Sequence, residues 1–126
     1  MPTQAEMKAV LTKYVERGNA GDVEGVISLY ADDATIEDPL GSPVRAGRAA
    51  ITELYRNAVA TSVRLTILAG PFGSFANAAA MAAEVRVDIP GQGPTRIPLV
   101  EVMTFDEQCR IVSMKAYWGS EDMTAA

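Results

Sequence analysis

The chain has 126 residues, 48% of them apolar, a formal net charge of -5 and no histidine. That length predicts one domain, residues 1–126, whose core needs neither disulfide nor metal. An acidic chain poor in aromatics is not expected to bind nucleic acid, where affinity rests on basic groups meeting phosphate.

The missing histidine excludes Ser-His-Asp and Cys-His catalysis and the usual histidine-based zinc and iron sites. No Gly-x-Gly-x-x-Gly or Gly-x-x-x-x-Gly-Lys pattern offers a nucleotide site. No cofactor and no metal are therefore expected, and the chemistry falls to carboxylates, tyrosines and arginines. Met1-Pro2-Thr3-Gln4-Ala5-Glu6 lacks the basic start and apolar run of a signal peptide, and no apolar stretch reaches membrane-spanning length. The lone Cys109 has no partner for an internal disulfide. The expectation is a cytoplasmic protein with no membrane partner.

Thr3-Gln4-Ala5-Glu6 reads as a capping box opening the first helix. Met7, Val10, Leu11, Tyr14 and Val15 recur at the spacing of one helix face, and Gly18 with Asn19-Ala20-Gly21 closes it. Asp22 is placed to cap a second helix with Val23, Val26, Ile27 and Tyr30 inward. A short strand follows, and then a third helix after Gly47 with Ile51, Leu54, Tyr55 and Ala58 on one side.

Beyond residue 60 the period changes from 3.6 to 2. Val63, Leu65 and Ile67 alternate with polar neighbours, as do Met81, Ala83, Val85, Val87 and Ile89. Pro90-Gly91-Gln92-Gly93-Pro94 is a turn, and strands are expected over Ile97 to Phe105 and Ile111 to Trp118. Asp32-Asp33 and Asp106-Glu107 are assigned to solvated turns. Helices first and a strand meander afterwards predict an α+β domain with helices packed on one sheet face.

The informative groups are the polar ones that fall on apolar faces. Strand alternation sets Asp38 with Ala34 and Ile36, directly before Pro39, which favours extended backbone there. It sets Glu101 with Ile97, Leu99, Met103 and Phe105, and it groups Val112, Met114, Ala116 and Trp118. Tyr14, Tyr30 and Tyr55 fall within the apolar stripes of three different helices. Each feature has an ordinary explanation: Asp before Pro marks turns, Glu101 fits an edge strand, and stripe tyrosines pack in cores. Together they point to chemistry, because carboxyls aimed into an apolar interior without a basic partner are costly. Burial raises a carboxyl pKa, so one acid stays neutral as a hydrogen-bond donor while the other, nearer a pocket mouth, takes up protons.

With these residues in place, the chain resembles the bacterial Δ5-3-ketosteroid isomerases of the nuclear transport factor 2-like superfamily. The resemblance runs from Tyr14-Val15 and Asn19-Ala20-Gly21-Asp22 through Leu29-Tyr30-Ala31-Asp32-Asp33-Ala34-Thr35-Ile36-Glu37-Asp38-Pro39-Leu40-Gly41-Ser42. It resumes at Gly47, Ala49-Ala50-Ile51 and Tyr55, and again at Val112-Ser113-Met114-Lys115-Ala116-Tyr117-Trp118-Gly119, with residues 60–96 aligning loosely. It implies a cone-shaped fold, three N-terminal helices on a curved mixed or antiparallel sheet, and a homodimer.

It also implies roles: Asp38 as the general base, Tyr14 as the principal oxyanion donor, and Tyr30 and Tyr55 as tyrosines bonded to that donor. Leu40, Leu99, Met103, Met114 and Trp118 are implied to contact a steroid substrate. The family's second oxyanion donor is an aspartic acid kept neutral by an apolar site; here the matching position holds Glu101, one methylene longer. The implied reaction converts a 3-oxo-Δ5 steroid to its conjugated Δ4 isomer without a cofactor. The rivals are another enzyme of the same fold, of epoxide hydrolase or polyketide cyclase type, and a non-catalytic binding module. An epoxide hydrolase needs a water held by two carboxylates with a bridging arginine, and the patterns place none of Arg45, Arg48 or Arg86 beside Asp38.

Overall fold

The computed structural model describes all 126 residues. Helix α1 (Gln4–Asn19) opens with the expected box: the Glu6 amide donates to Thr3 Oγ1 at 3.0 Å and the Thr3 amide to Glu6 Oε1 at 2.7 Å. Its inward residues, Met7, Val10, Leu11, Tyr14 and Val15, are all buried. Gly21, at φ +71, takes the left-handed turn out of the helix. Asp22 then caps the five-residue α2 (Val23–Ile27), accepting from the Gly25 amide at 2.9 Å.

Tyr30 does not belong to that helix. It opens strand β1 (Tyr30–Glu37), because a parallel ladder takes over where Tyr30 meets Ile111 and the Ile111 amide donates to Leu29 O. The spacing 23, 26, 27, 30 fits a helix face, and sheet pairing overrides it. Asp32 and Asp33 likewise lie in β1 and not on a turn, although both remain exposed, where the β1 register slips between Tyr30 and Thr35. Asp106 does sit in a turn, accepting from the Gln108 and Arg110 amides. The two-residue strand β2 (Arg45–Ala46) leads into α3 (Arg48–Ala60) through Gly47 at φ +88.

The remaining strands are β3 (Arg64–Phe72), β4 (Ala78–Ile89), β5 (Gly93–Phe105), β6 (Ile111–Tyr117) and β7 (Thr124–Ala125). The sheet order is β2-β1-β6-β5-β4-β3, with β7 on β5, and only the β1–β6 pair is parallel. Register shifts between β3 and β4 and between β5 and β6 accompany the curvature of this open sheet. The long β4–β5 hairpin keeps unbroken register from Ala78↔Thr104 to Ile89↔Gly93. Strands β2 and β7 leave no signal in the sequence, because at two residues each they are too short to show periodicity. No helix is long and apolar enough to cross a membrane.

Three helices lie on one face of this sheet. Helix α1 packs on β3 and β4, while α3 packs on α2, β1 and β2. Beneath them Met7, Leu11, Ile36, Met81, Met103, Phe105 and Met114 form the dry core. Towards the β4–β5 turn the same inner face continues past the packed core, and there the sheet and helices enclose a cavity.

Candidate active site

The cavity measures about 380 Å³, within the roughly 300–1,000 Å³ typical of small-molecule sites. Sixteen of its twenty-three wall residues are hydrophobic, so it favours a largely apolar ligand. Tyr14, Asp38, Tyr55, Leu99, Glu101 and Trp118 all reach this one wall.

Three folding events bring the polar groups together. Tyr14 is an inward residue of the third turn of α1. Glu101 follows the β5 alternation inward beside Ile97, Leu99, Met103 and Phe105, every one buried. Asp38 follows the end of β1, where the parallel ladder sets Glu37 against Lys115 and the Leu40 amide donates to Ala116 O at 2.7 Å. The next inward residue on the β6 side is Trp118, whose indole Nε1–H donates to Asp38 Oδ1 at 2.8 Å.

The tyrosines form a relay. Tyr55 donates to Tyr14 at 3.1 Å, and Tyr14 donates to Glu101 Oε1 at 3.2 Å. Tyr30 and Tyr55 hydroxyls lie 2.5 Å apart; with Tyr55's proton directed at Tyr14, Tyr30 is the donor of that pair. The rings of Tyr14 and Tyr55 meet edge to face, 5.9 Å between centroids. Tyr30 thus supports the relay from a strand while Tyr14 and Tyr55 come from helices. All three phenols are pushed well above their usual pKa by burial first, so each keeps its proton.

The two carboxyls differ sharply. Glu101 is 3% exposed, and its Oε2 has no hydrogen-bond partner. Burial raises its pKa to about 8, with the negative charge of Asp38 adding to the rise and the Tyr14 hydroxyl opposing it. A neutral acid at pH 7 turns the unpartnered oxygen into a donor facing the site. Asp38 is only partly buried; burial raises its pKa, while the Trp118 indole and the charge of Arg45 hold it down. The two acids thus meet unlike surroundings in one cavity, one deep and without a cationic neighbour, the other nearer solvent and countered by a donor and a cation.

Three of the expected contact residues are not in the wall. Met103 and Met114 face inward as expected but lie under the helices, at 0% and 1% exposure, as part of the dry core. Leu40 sits past the end of β1 and is 43% exposed. The wall is instead completed by Val85, Val87 and Ile89 of β4, Ile97 of β5, Val26 of α2, Leu54 and Ala58 of α3, and Met123. The inward alternation of β4 and β5 carries the signal for the strand residues; Met123 has no periodic neighbour that marks it. No arginine lines the cavity: Arg48 pairs with Asp32, and Arg86 is exposed on β4. No cluster of three or more cysteine or carboxylate side chains forms a metal site.

The SnoaL-like domain family matches residues 11–114, most of the chain and both halves of the fold. The chain belongs to the SnoaL-like, nuclear transport factor 2-like family. A steroid Δ-isomerase of Nocardioides simplex is 38% identical over 94% of this chain and 94% of its own length. Epoxide hydrolase LasB of Streptomyces lasalocidi is 33% identical over 97% of this chain, which spans 44% of that protein. Among solved structures, the epoxide hydrolase/cyclase-like enzyme SalBIII, linked to pyran ring formation in the polyether salinomycin, superposes with a TM-score of 0.93 at 29% identity, covering both chains fully. This SnoaL-like domain thus shares its fold with enzymes of two reaction types, and its relatives act on small molecules.

Proposed function

We propose that this SnoaL-like domain is a steroid Δ-isomerase that converts 3-oxo-Δ5 steroids to conjugated 3-oxo-Δ4 steroids. The observation that carries the reading is a partly buried carboxylate, Asp38, opening onto the same apolar cavity as a buried neutral acid, Glu101, and the phenol Tyr14. The 38% identical steroid Δ-isomerase, matched along nearly its whole length, supports it.

Asp38 removes the acidic proton from the carbon between the carbonyl and the double bond. The electron pair moves into a dienolate whose negative oxygen accepts hydrogen bonds from the Glu101 acid and the Tyr14 hydroxyl. Tyr14 turns its proton from Glu101 to the ligand oxygen, while Tyr55 and Tyr30 behind it hold the ring in place. Protonated Asp38 then delivers the same proton two carbons away. Proton and electrons balance within one substrate molecule, so no co-reactant is needed. Preorganised donors of this kind contribute about 3–4 kcal/mol each to transition-state stabilisation. The apolar wall serves twice: it holds a steroid skeleton and keeps Glu101 neutral.

Mixing the protein with 5-androstene-3,17-dione tests the reading. The ultraviolet band of the conjugated ketone grows with time if it is right; a flat trace with a substrate that demonstrably binds defeats it.

The resemblance to LasB and SalBIII favours one second reading, epoxide opening. There the neutral Glu101 protonates the epoxide oxygen and Asp38 activates a hydroxyl of the substrate. The absence of any arginine from the wall and the indole bound to Asp38 Oδ1 weigh against a water held between two carboxylates. Ring closure of a hydroxy-epoxide, without the enone band from the dione, would reverse the preference.

Dimerisation through the sheet is part of the same proposal. Val100 and Tyr117, register partners on its outer face, are 42% and 45% exposed. Sedimentation at a mass of two chains supports pairing, and loss of that mass on Tyr117→Lys assigns it to this face.

A further inference from the structure

Along one edge of β5 two strands follow each other. Strand β6 pairs with it up to Val100↔Tyr117, and β7 resumes at Arg96↔Thr124 and Thr95↔Ala125. Between those pairs six residues of chain, 118–123, thus run beside three residues of β5, 97–99. The excess forms a 3₁₀ turn over Ser120–Asp122, closed by the Gly119 amide donating to Asp122 Oδ2 at 2.7 Å. That turn brings Met123, half-buried, into the cavity wall, while its neighbours Asp122 and Thr124 stay exposed. The strap is then tied down by the two β7 pairs and by the Ala126 amide donating to Pro94 O at 3.0 Å.

The register fixes where Met123 stands. Thr124 faces Arg96, so Met123 lies at the level of Ile97, four residues from Glu101 and about 13 Å along the strand. A one-ring ketone docked by its oxygen at Tyr14 and Glu101 ends well short of that level. A four-ring ketone extends into it.

We propose that Met123 is the residue with which this site reads ligand length: it closes on the far end of a rigid polycyclic substrate and selects it over a monocyclic one. The assignment rests on the oxygen-docking end proposed above, at Tyr14 and Glu101. Met123 contacts the skeleton and takes no part in the proton transfer, so its contribution appears in KM and not in kcat.

Met123→Trp overfills the far end and Met123→Ala opens it. With 5-androstene-3,17-dione and 3-cyclohexen-1-one as substrates, Met123→Trp lowers kcat/KM for the dione about tenfold more than for the one-ring ketone. Met123→Ala lowers it about threefold more, in both cases through KM. Equal changes for the two ketones, or no change for the dione, overturn the proposal. A second readout is independent of turnover. Trp118, the single tryptophan, reports binding of phenol and of 17β-estradiol by fluorescence. Met123→Trp adds a fluorophore, so this arm uses Met123→Ala and Met123→Phe, and selective weakening of estradiol supports the assignment even if neither ketone is turned over. In that event the isomerase reading alone falls. If estradiol and phenol respond alike, or neither binds the unaltered protein, the length reading falls.

Discussion

Asp38 and Glu101 carry the same functional group into the same cavity and meet opposite surroundings. Asp38 stands at the end of a strand, partly exposed, with an indole N–H at 2.8 Å and the field of Arg45 favouring its charge. Glu101 stands mid-strand in the long hairpin, fully enclosed, with one oxygen bonded to Tyr14 and the other to nothing. Burial dominates at both, but only at Asp38 do cationic and donor neighbours counter it by two routes. Chemical identity therefore does not decide which acid is the base. Depth in the sheet and the neighbours supplied by the adjoining strand decide it, and the difference splits one residue class into an acceptor and a donor of protons.

The severest way to break this comparison is to remove the acceptor. Asp38→Asn keeps the shape and the indole contact but cannot take a proton. Turnover of the dione should fall by about 10²–10⁴-fold, the scale of a positioned general base. Binding of estradiol, read through Trp118, should change little. Turnover that survives this substitution removes Asp38 from the mechanism and with it the proposed isomerisation.

Much of this contrast is legible in the sequence, because side-chain direction in a strand follows from counting by two. Glu101 faces inward simply because Leu99 and Met103 do, and Tyr14 because Leu11 and Val15 do. Counting gives the face, however, and not the position along it. Met103 and Leu99 are equivalent by alternation, yet one lies under the helices at 0% exposure and the other lines the cavity. Where the helices cross the sheet is settled by packing between distant segments, which no local pattern encodes. The same holds for Tyr30, whose helical spacing yields to pairing with Ile111, and for Met123, which enters the wall through a turn set by the register of β7. The Trp118–Asp38 bond arises from the parallel β1–β6 pair, a contact between residues eighty apart in sequence.

A less drastic test makes Glu101 unable to ionise. Its proton should leave near pH 8, and an ionised Glu101 repels the dienolate, so the rate should fall as pH rises through about 8. Glu101→Gln retains a donor and should abolish that alkaline fall while lowering the rate below it by about tenfold. Stability follows the same proton. Below the ordinary value of 4.5 the carboxyl is protonated in both folded and unfolded chains. Between 4.5 and about 8 only the folded chain holds it, so unfolding releases a proton and stability falls as pH rises. Over that window the loss from this one group is on the order of 4–5 kcal/mol. Denaturant titrations at pH 5 and pH 8 should therefore diverge for the unaltered protein by several kcal/mol more than for Glu101→Gln. Equal differences would mean that Glu101 is ionised throughout, and the division between the two acids would be lost.

The smallest effect belongs to the indole. Trp118→Phe leaves an aromatic ring in the wall and removes the donor at Asp38 Oδ1. That donor stabilises the ionised form, so its loss should raise the Asp38 pKa and move the acid limb of the pH–rate profile upward by about one pH unit. A base of higher pKa also accepts a proton more readily, which offsets the loss of ionised fraction on the plateau. The turnover number at pH 7 should therefore change by less than about threefold even as the profile moves. This pairing of a displaced limb with a nearly constant plateau distinguishes an electrostatic role from a packing one. If Trp118 only filled space, Phe would widen the wall and raise KM while the acid limb stayed where it was. The indole would then have no part in making Asp38 differ from Glu101, leaving partial exposure and Arg45 to account for the contrast.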